Sequence, residues 1–242
     1  SGGGSANMGP NFMVLRIGFD GGTATPSSIA TPRYLDEHSS DTGAWMRSIV
    51  LSTGSSPVNF SGSATSDGVV NRSVNGQYVT VTGYQAAERS TAVVTTAGVN
   101  RCVVRVNAAG TVDQTTVVND AYQWNNIRSA ATVDGTNYWL AGTSTNNTAA
   151  NADAGVRLVV HGSSGASTGI YNIINNARVT YLTSNALYVS TGSGTVPDGG
   201  MSGFSRVVSL GAAPMSYTSS QTYLPGVYLA GPQGVAVLDL NA

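Results

Sequence analysis

VVNRSVNGQYVTVTGY, residues 69–84, decides the fold. It is two short β-branched runs facing each other across Asn75-Gly76, the residue pair favoured in a tight type I′ hairpin. The same device recurs. IRSAATVDGTNYWLAGT (127–143) turns at Asp134-Gly135, and ARVTYLTSNALYVSTGS (177–193) turns at Ser184-Asn185. Each second strand runs into a glycine: Gly83, Gly142 and Gly192. FMVLRIG (12–18) and PGVYLAG (225–231) look like further second strands, ending at Gly18 and Gly231.

Between these hairpins lie others of a second kind. RYLDEHS-SDTG-AWMRSIVL (33–51), NRCVVRV-NAAG-TVDQTTVV (100–118) and GVRLVVH-GSSG-ASTGIYN (155–172) each turn on a four-residue polar loop. The unit is therefore two hairpins, four strands, repeated. Its glycines are spaced by 65, 59, 50 and 39 residues. A four-stranded unit at that spacing is the pattern of a β-propeller blade. No long stretch carries the 3.6-residue periodicity and caps of a helix. The expected fold is all-β: a β-propeller of four-stranded antiparallel blades over residues 11–242, with four to five blades present, preceded by a flexible leader, 1–10. The first unit has no strand before residues 12–18, and the last stops at GVAVLDLNA (234–242), within a blade. Propellers close by pairing their terminal strands, because open edges invite association. Two alternatives follow. The chain closes on its own ends, or a protein partner, a second chain or another copy completes the propeller. The second is favoured.

Composition bounds the function. Charged residues are 10% of the chain, against roughly 25% in ordinary soluble proteins. All eleven basic residues are arginine; lysine is absent. The net charge of −1 points to neither a nucleic-acid partner nor an acidic membrane surface. No apolar run approaches the roughly 18 residues of a membrane helix. A surface wetted by hydroxyls and amides suits an extracellular or wall-associated protein. The single cysteine, Cys102, alternates with valines and reads as buried. Three glycosylation sequons begin at Asn59, Asn71 and Asn146, the last in the polar loop STNNTAANADAG.

RYLDEHSS (33–40) is the densest ionisable cluster. On a strand, Asp36 and Glu37 point to opposite faces, so they do not form the facing carboxylate pair of a glycosidase. Asp36 and His38 share a face with Tyr34, which allows an Asp–His hydrogen bond, and Arg33 or Arg47 are the expected charge partners. No G-x-S-x-G elbow, phosphate loop or Cys/His metal spacing is present. Asp20, Asp198 and Asp239 are weak calcium candidates that read first as turn residues. Tyr78, Tyr138, Trp139 and Tyr188 recur before the glycines, which argues for packing between blades before sugar stacking.

The order of motifs resembles that of secreted β-propeller-like repeat proteins of green algae and bacteria. VLRIGFDGG (14–22), TPSSIATP (25–32), RYLDEHSS (33–40), RSIVLSTG (47–54), SDGVVNRSVNGQYVTVTGY (66–84) and NRCVVRV (100–106) carry the resemblance. Phe19, inserted between Gly18 and Asp20, and His38, in place of an aromatic Tyr, depart from the pattern. The resemblance implies an extracellular location and a propeller that continues beyond this region; no catalytic residue is assigned by it. Two function classes remain: a non-catalytic extracellular structural or adhesion protein assembling at a cell surface, wall or filament, and a secreted carbohydrate-binding or carbohydrate-active propeller.

Overall fold

A computed structural model describes residues 11–19, 27–144, 153–174, 176–192 and 207–224. Every regular element among them is a strand. In chain order these are β1 (Phe12–Ile17), β2 (Ala30–Thr31), β3 (Arg33–His38), β4 (Trp45–Val50), β5 (Val58–Ser61), β6 (Asn71–Arg72), β7 (Tyr78–Gln85), β8 (Arg101–Asn107) and β9 (Val112–Val118). They continue as β10 (Ile127–Ala131), β11 (Asn137–Gly142), β12 (Gly155–Val160), β13 (Ser164–Gly165), β14 (Thr168–Tyr171), β15 (Ala177–Leu182), β16 (Leu187–Thr191), β17 (Val207–Ser209) and β18 (Thr222–Tyr223).

The strands form four sheets. The first is β1-β3-β4. The second runs β13-β9-β8-β7-β5-β2, with β6 also on β7. The third is β10-β11-β12-β14 and the fourth β15-β16-β17-β18. All pairings are antiparallel except β13 with β9. The third and fourth sheets are the expected four-strand units, and β6-β7-β8-β9 is a third inside the larger second sheet. The first sheet has three strands. RYLDEH, expected in an outer hairpin, is its central strand β3.

Consecutive sheets share apolar clusters. Leu35, Ile49, Phe60, Val81, Cys102 and Val104 fill the space between the first and second sheets. Tyr84, Val103, Ile127, Tyr138 and Leu140 lie between the second and third. Trp139, Ala141, Leu158, Leu182, Leu187 and Val208 lie between the third and fourth. The alternation is direct: Cys102 and Val104 face one neighbour, Val103 the other; Tyr138 and Leu140 face one, Trp139 and Ala141 the other. Inner strands buried on both faces explain why the sequence shows apolar runs instead of strict alternation.

The turns differ from expectation. Type I′ needs positive φ at both central residues. Here only the glycines adopt it, Gly76 at +73° and Gly135 at +85°, while Asn75 and Asp134 do not. Gly76 N donates to Ser73 O (2.9 Å), and Asn75 Oδ1 accepts from Gln77 N, so the loop is a wider turn ending in a left-handed glycine. Likewise GSSG is not a simple hairpin tip. Its last two residues, Ser164 and Gly165, form β13 and pair with β9, with Val117 N donating to Ser163 O and Asn119 N to Gly165 O.

The recurrent glycines within β7, at the end of β11 and just after β16 have a steric cause. A Cβ at Gly83 would sit 2.6 Å from Val58 Cγ1; at Gly142, 2.5 Å from Tyr122 Cδ1 and 2.6 Å from Asn126 O; at Gly192, 2.6 Å from Arg178 Nε. Gly142→Ala is expected to lower unfolding free energy by about 1–3 kcal/mol in denaturant titration. Gly165→Ala, which meets nothing within 4 Å, should stay within about 0.5 kcal/mol of the parent.

Candidate functional site

Among the described residues, most charged side chains fall into four arrangements. The first is RYLDEH. Asp36 and Glu37 do point to opposite faces of β3. Asp36 takes Arg16 Nε at 2.6 Å and Ser48 Oγ at 2.5 Å on the outer face. Glu37 takes Asn11 Nδ2 at 2.8 Å and Arg47 Nε at 2.5 Å on the other. Arg47 is thus a charge partner as expected; Arg33 is not. His38 makes its hydrogen bond to Gly43 O (3.0 Å) instead of Asp36, and its ring stacks on Phe12. A carbonyl only accepts, so Nδ1 carries the proton. For Glu37 the hydrogen bonds from Asn11 and Arg47 outweigh burial and hold the carboxyl below its ordinary 4.5. For Asp36 burial pushes upward, but Arg16 and Ser48 win and the net direction is down.

Arg33 turns instead to Asp67, 2.8 Å away, with side chains 5% and 1% exposed. Tyr84 Oη and Asn126 Nδ2 complete the carboxylate's shell, and the Arg33 guanidinium lies over the Phe60 ring. Burial raises Asp67 against the pull of Arg33. This node ties β3, the 62–70 loop, β7 and the 121–126 loop together.

The third arrangement is a set of buried arginines serving as carbonyl caps. Arg101, fully buried, donates to Val99 O, Val94 O and Asn125 O. Arg128 donates to Ser66, Thr143, Asn176 Oδ1 and Ala177 O. Burial, with Arg178 nearby, pushes its guanidinium down to about 10. Arg157 reaches Asp120 (2.9 Å), Ser167 Oγ and Ser167 O. The sequence does contain a signal for these residues: arginine recurs at the start of first strands (Arg72, Arg128, Arg178) and of third strands (Arg33, Arg101, Arg157).

The fourth arrangement joins the two sheets flanking β13. His161 Nε2 lies 3.0 Å from Arg105 Nη2 and 3.4 Å from Asp113 Oδ2; Nδ1 lies 3.1 Å from Tyr138 Oη. A guanidinium only donates, so Nε2 accepts and Nδ1–H points to Tyr138, whose own proton goes to Gly135 O. The imidazole is thus wedged between the sheets, with Nε2 beside both Arg105 and Asp113 and Nδ1 against Tyr138.

The remaining sequence candidates are placed as follows. Asp20, Asp198, Asp239 and Asn146 lie outside the described residues. Among the described residues no group of three or more His, Cys, Asp or Glu could hold a metal ion. Asn59 and Asn71 are buried, at 1% and 8% exposure. Asn59 Nδ2 donates to Ala86 O, and Asn71 Nδ2 to Ala130 O and Thr180 O. The folded chain therefore does not present either nitrogen to solvent, where a glycan acceptor must be. Tyr138 and Trp139 are core residues, the Trp139 indole donating to Pro214 O at 2.7 Å. Tyr78 is half-buried beneath Arg105, and Tyr188 is half-buried on β16.

Two outcomes follow. Glu37 contributes stability that is present above 4.5 and lost as pH falls through its depressed folded value. The melting temperature of Glu37→Gln should therefore fall less steeply below pH 4.5 than that of the parent, measured by circular dichroism. Burial pushes the Cys102 thiol up to about 12. It should stay unlabelled by a thiol reagent at pH 8 in the native protein and label fully in denaturant.

No protein-family model, curated protein or solved structure matches this chain.

Proposed function

We propose that this chain is a non-catalytic extracellular structural or adhesion protein, built as a propeller of four-stranded blades, that assembles with further copies of itself at a cell surface, wall or filament. The observation that carries the reading is the outer face of the first sheet. Phe12, Val14, Trp45, Met46 and Val50 are each between 41% and 61% exposed there. On the same face Arg16 and Asp36 pair with each other. Contiguous exposed apolar residues on one sheet face mark an interaction surface. With a net charge of −1, copies have little electrostatic reason to stay apart. The β4 edge, carrying Trp45 and Met46, offers backbone pairing beside that face.

The blade reading is supported by four-strand meanders repeated in chain order and packed face to face, with first strands β6, β10 and β15 adjacent. Val69 N and Val74 N, flanking β6, donate to Arg128 O and Thr132 O at the two ends of β10. Thr180 N of β15 donates to Ser129 Oγ of β10. The extracellular location rests on the lysine-free, hydroxyl-rich composition. In this reading a surface glycan is carried at Asn146.

Sedimentation velocity over a micromolar concentration series tests the assembly. The parent should form species larger than 24.6 kDa. The double variant Val14→Ser, Trp45→Ser should shift the series toward monomer by at least tenfold in concentration, with its melting temperature preserved. A parent that is monomeric throughout, or a variant that assembles equally well, overturns the reading. Binding on a glycan array that is lost in Trp45→Ser would favour the carbohydrate-binding class.

A further inference from the structure

The pairing of β13 with β9 is short. It spans two residues, Ser164↔Val117 and Gly165↔Val118. Val117 N donates to Ser163 O at 2.8 Å and Asn119 N to Gly165 O at 3.1 Å. Ser164 is exposed and Gly165 has no side chain, so little packing supports these bonds. The turn before them is their footing. His161 N donates to Thr136 O (2.8 Å) and Gly162 N to Thr116 Oγ1 (3.0 Å). In the run HGSSG, 161–165, the imidazole is the only side chain larger than a serine. The position of this ring therefore governs where the turn and β13 sit.

The charged and titratable groups facing the ring come from β8, β9 and β11. Arg105 places Nη2 3.0 Å from Nε2, Asp113 places Oδ2 3.4 Å from Nε2, and Tyr138 places Oη 3.1 Å from Nδ1. Tyr78 of β7 lies beneath the Arg105 guanidinium. Burial pushes the Asp113 carboxyl up, but the Thr115 amide and hydroxyl, with His161 and Arg105, outweigh it and the net direction is down from 3.8. Burial pushes the Tyr138 phenol up to about 12. A guanidinium keeps its proton at any such pH. The imidazole is the one side-chain type in the cluster that ordinarily changes charge between pH 5 and 8. His161 is 28% exposed, so protons reach it from solvent.

We propose that protonation of His161 releases β13 from β9. As the side chains stand, Nε2 accepts from Arg105 Nη2. A proton on Nε2 would set two N–H donors, both on cationic groups, against each other at that distance. Asp113 does not absorb the change in place. Its Oδ2 already takes the same Nη2 at 3.1 Å, and its Oδ1 takes Thr115 N and Oγ1. Nε2 is also too far from Oδ2 for a charge-assisted bond of roughly 2.8 Å. The ring has to move, and Tyr138 loses Nδ1 when it does. Gly162 follows directly, at φ +73°, and Ser163 O, the acceptor of Val117 N, comes next. The inference is independent of what the molecule assembles with.

Amide hydrogen exchange of the full-length chain, corrected for its intrinsic dependence on pH, reads the release at Val117 and Asn119. Their protection should fall about tenfold or more between pH 8 and pH 5, while Leu187–Val189 in the fourth sheet stays unchanged. The fall should share its midpoint with the titration of the His161 ring proton resonance, which is readily assigned because His38 is the only other histidine. His161→Gln, with no titratable proton, should keep its pH 8 protection at pH 5. Protection that is unchanged or greater at pH 5, a fall that persists in His161→Gln, or a midpoint more than about one pH unit from the His161 titration would overturn the proposal.

Discussion

Ala130 O, in the middle of β10, accepts two hydrogen bonds from another sheet: Thr80 Oγ1 at 2.6 Å and Asn71 Nδ2 at 3.0 Å. The sheets have apolar faces that could slide over one another, and a hydrophobic contact has no direction of its own. This seam gives it one. Asn71 also reaches Thr180 O, Thr180 N reaches Ser129 Oγ, and Thr180 Oγ1 donates to Trp139 O. With that proton committed, Ser129 is the donor in the Ser129–Thr180 contact at 3.0 Å. Every group in the chain is buried, so moving one sheet by a residue would strand several polar atoms at about 1–3 kcal/mol each. The seam fixes the stacking register of the second, third and fourth sheets, and everything placed where those sheets meet inherits it.

The arginine-only basic composition makes sense in this frame. Loops that close one sheet against the next leave inward-facing carbonyls, and few backbone N–H groups remain to satisfy them. A guanidinium has five donors in a fixed plane and serves several carbonyls at once, as Arg101 does for Val99, Val94 and Asn125. An ammonium has three donors on a point and is dehydrated at greater cost. What looks in the sequence like a sparse charge allocation for the surface is largely an internal scaffold. The same holds for the acids: Asp67, Asp36 and Glu37 each have an arginine partner.

Strand positions were legible because they depend on local pattern. β-branched runs bounded by Gly, Asn and Asp located β7, β8, β11, β12, β15 and β16, and the outer hairpins at Gly43 and Gly110 turn where their loops predicted. The glycines before each break were visible as a repeat, although their reason, a neighbouring strand, loop or side chain pressed against the backbone, was not. Turn type was misjudged at Asn75 and Asp134. There the asparagine or aspartate side chain bonds the backbone two residues on, which favours a wider turn than the dipeptide alone suggests. Asn59 and Asn71 illustrate the harder limit. Nothing near them in sequence shows that a carbonyl from a distant strand will take their amides. The His161 cluster was invisible for the same reason, its members coming from β8, β9, β11 and the loop after β12.

The crossing of β13 to β9 has a mechanical meaning. It is the one parallel pairing among the described strands, and it links the third sheet's outer loop to the outer strand of the second. Loosening that loop uncovers a strand belonging to its neighbour, and fraying β9 deprives the loop of its anchor. The two sheets therefore share this clasp, reinforced by His161 and Arg105, in addition to the seam at β10. Tension applied along the chain would meet this clasp as a shear contact, with its bonds loaded together instead of unzipped one by one.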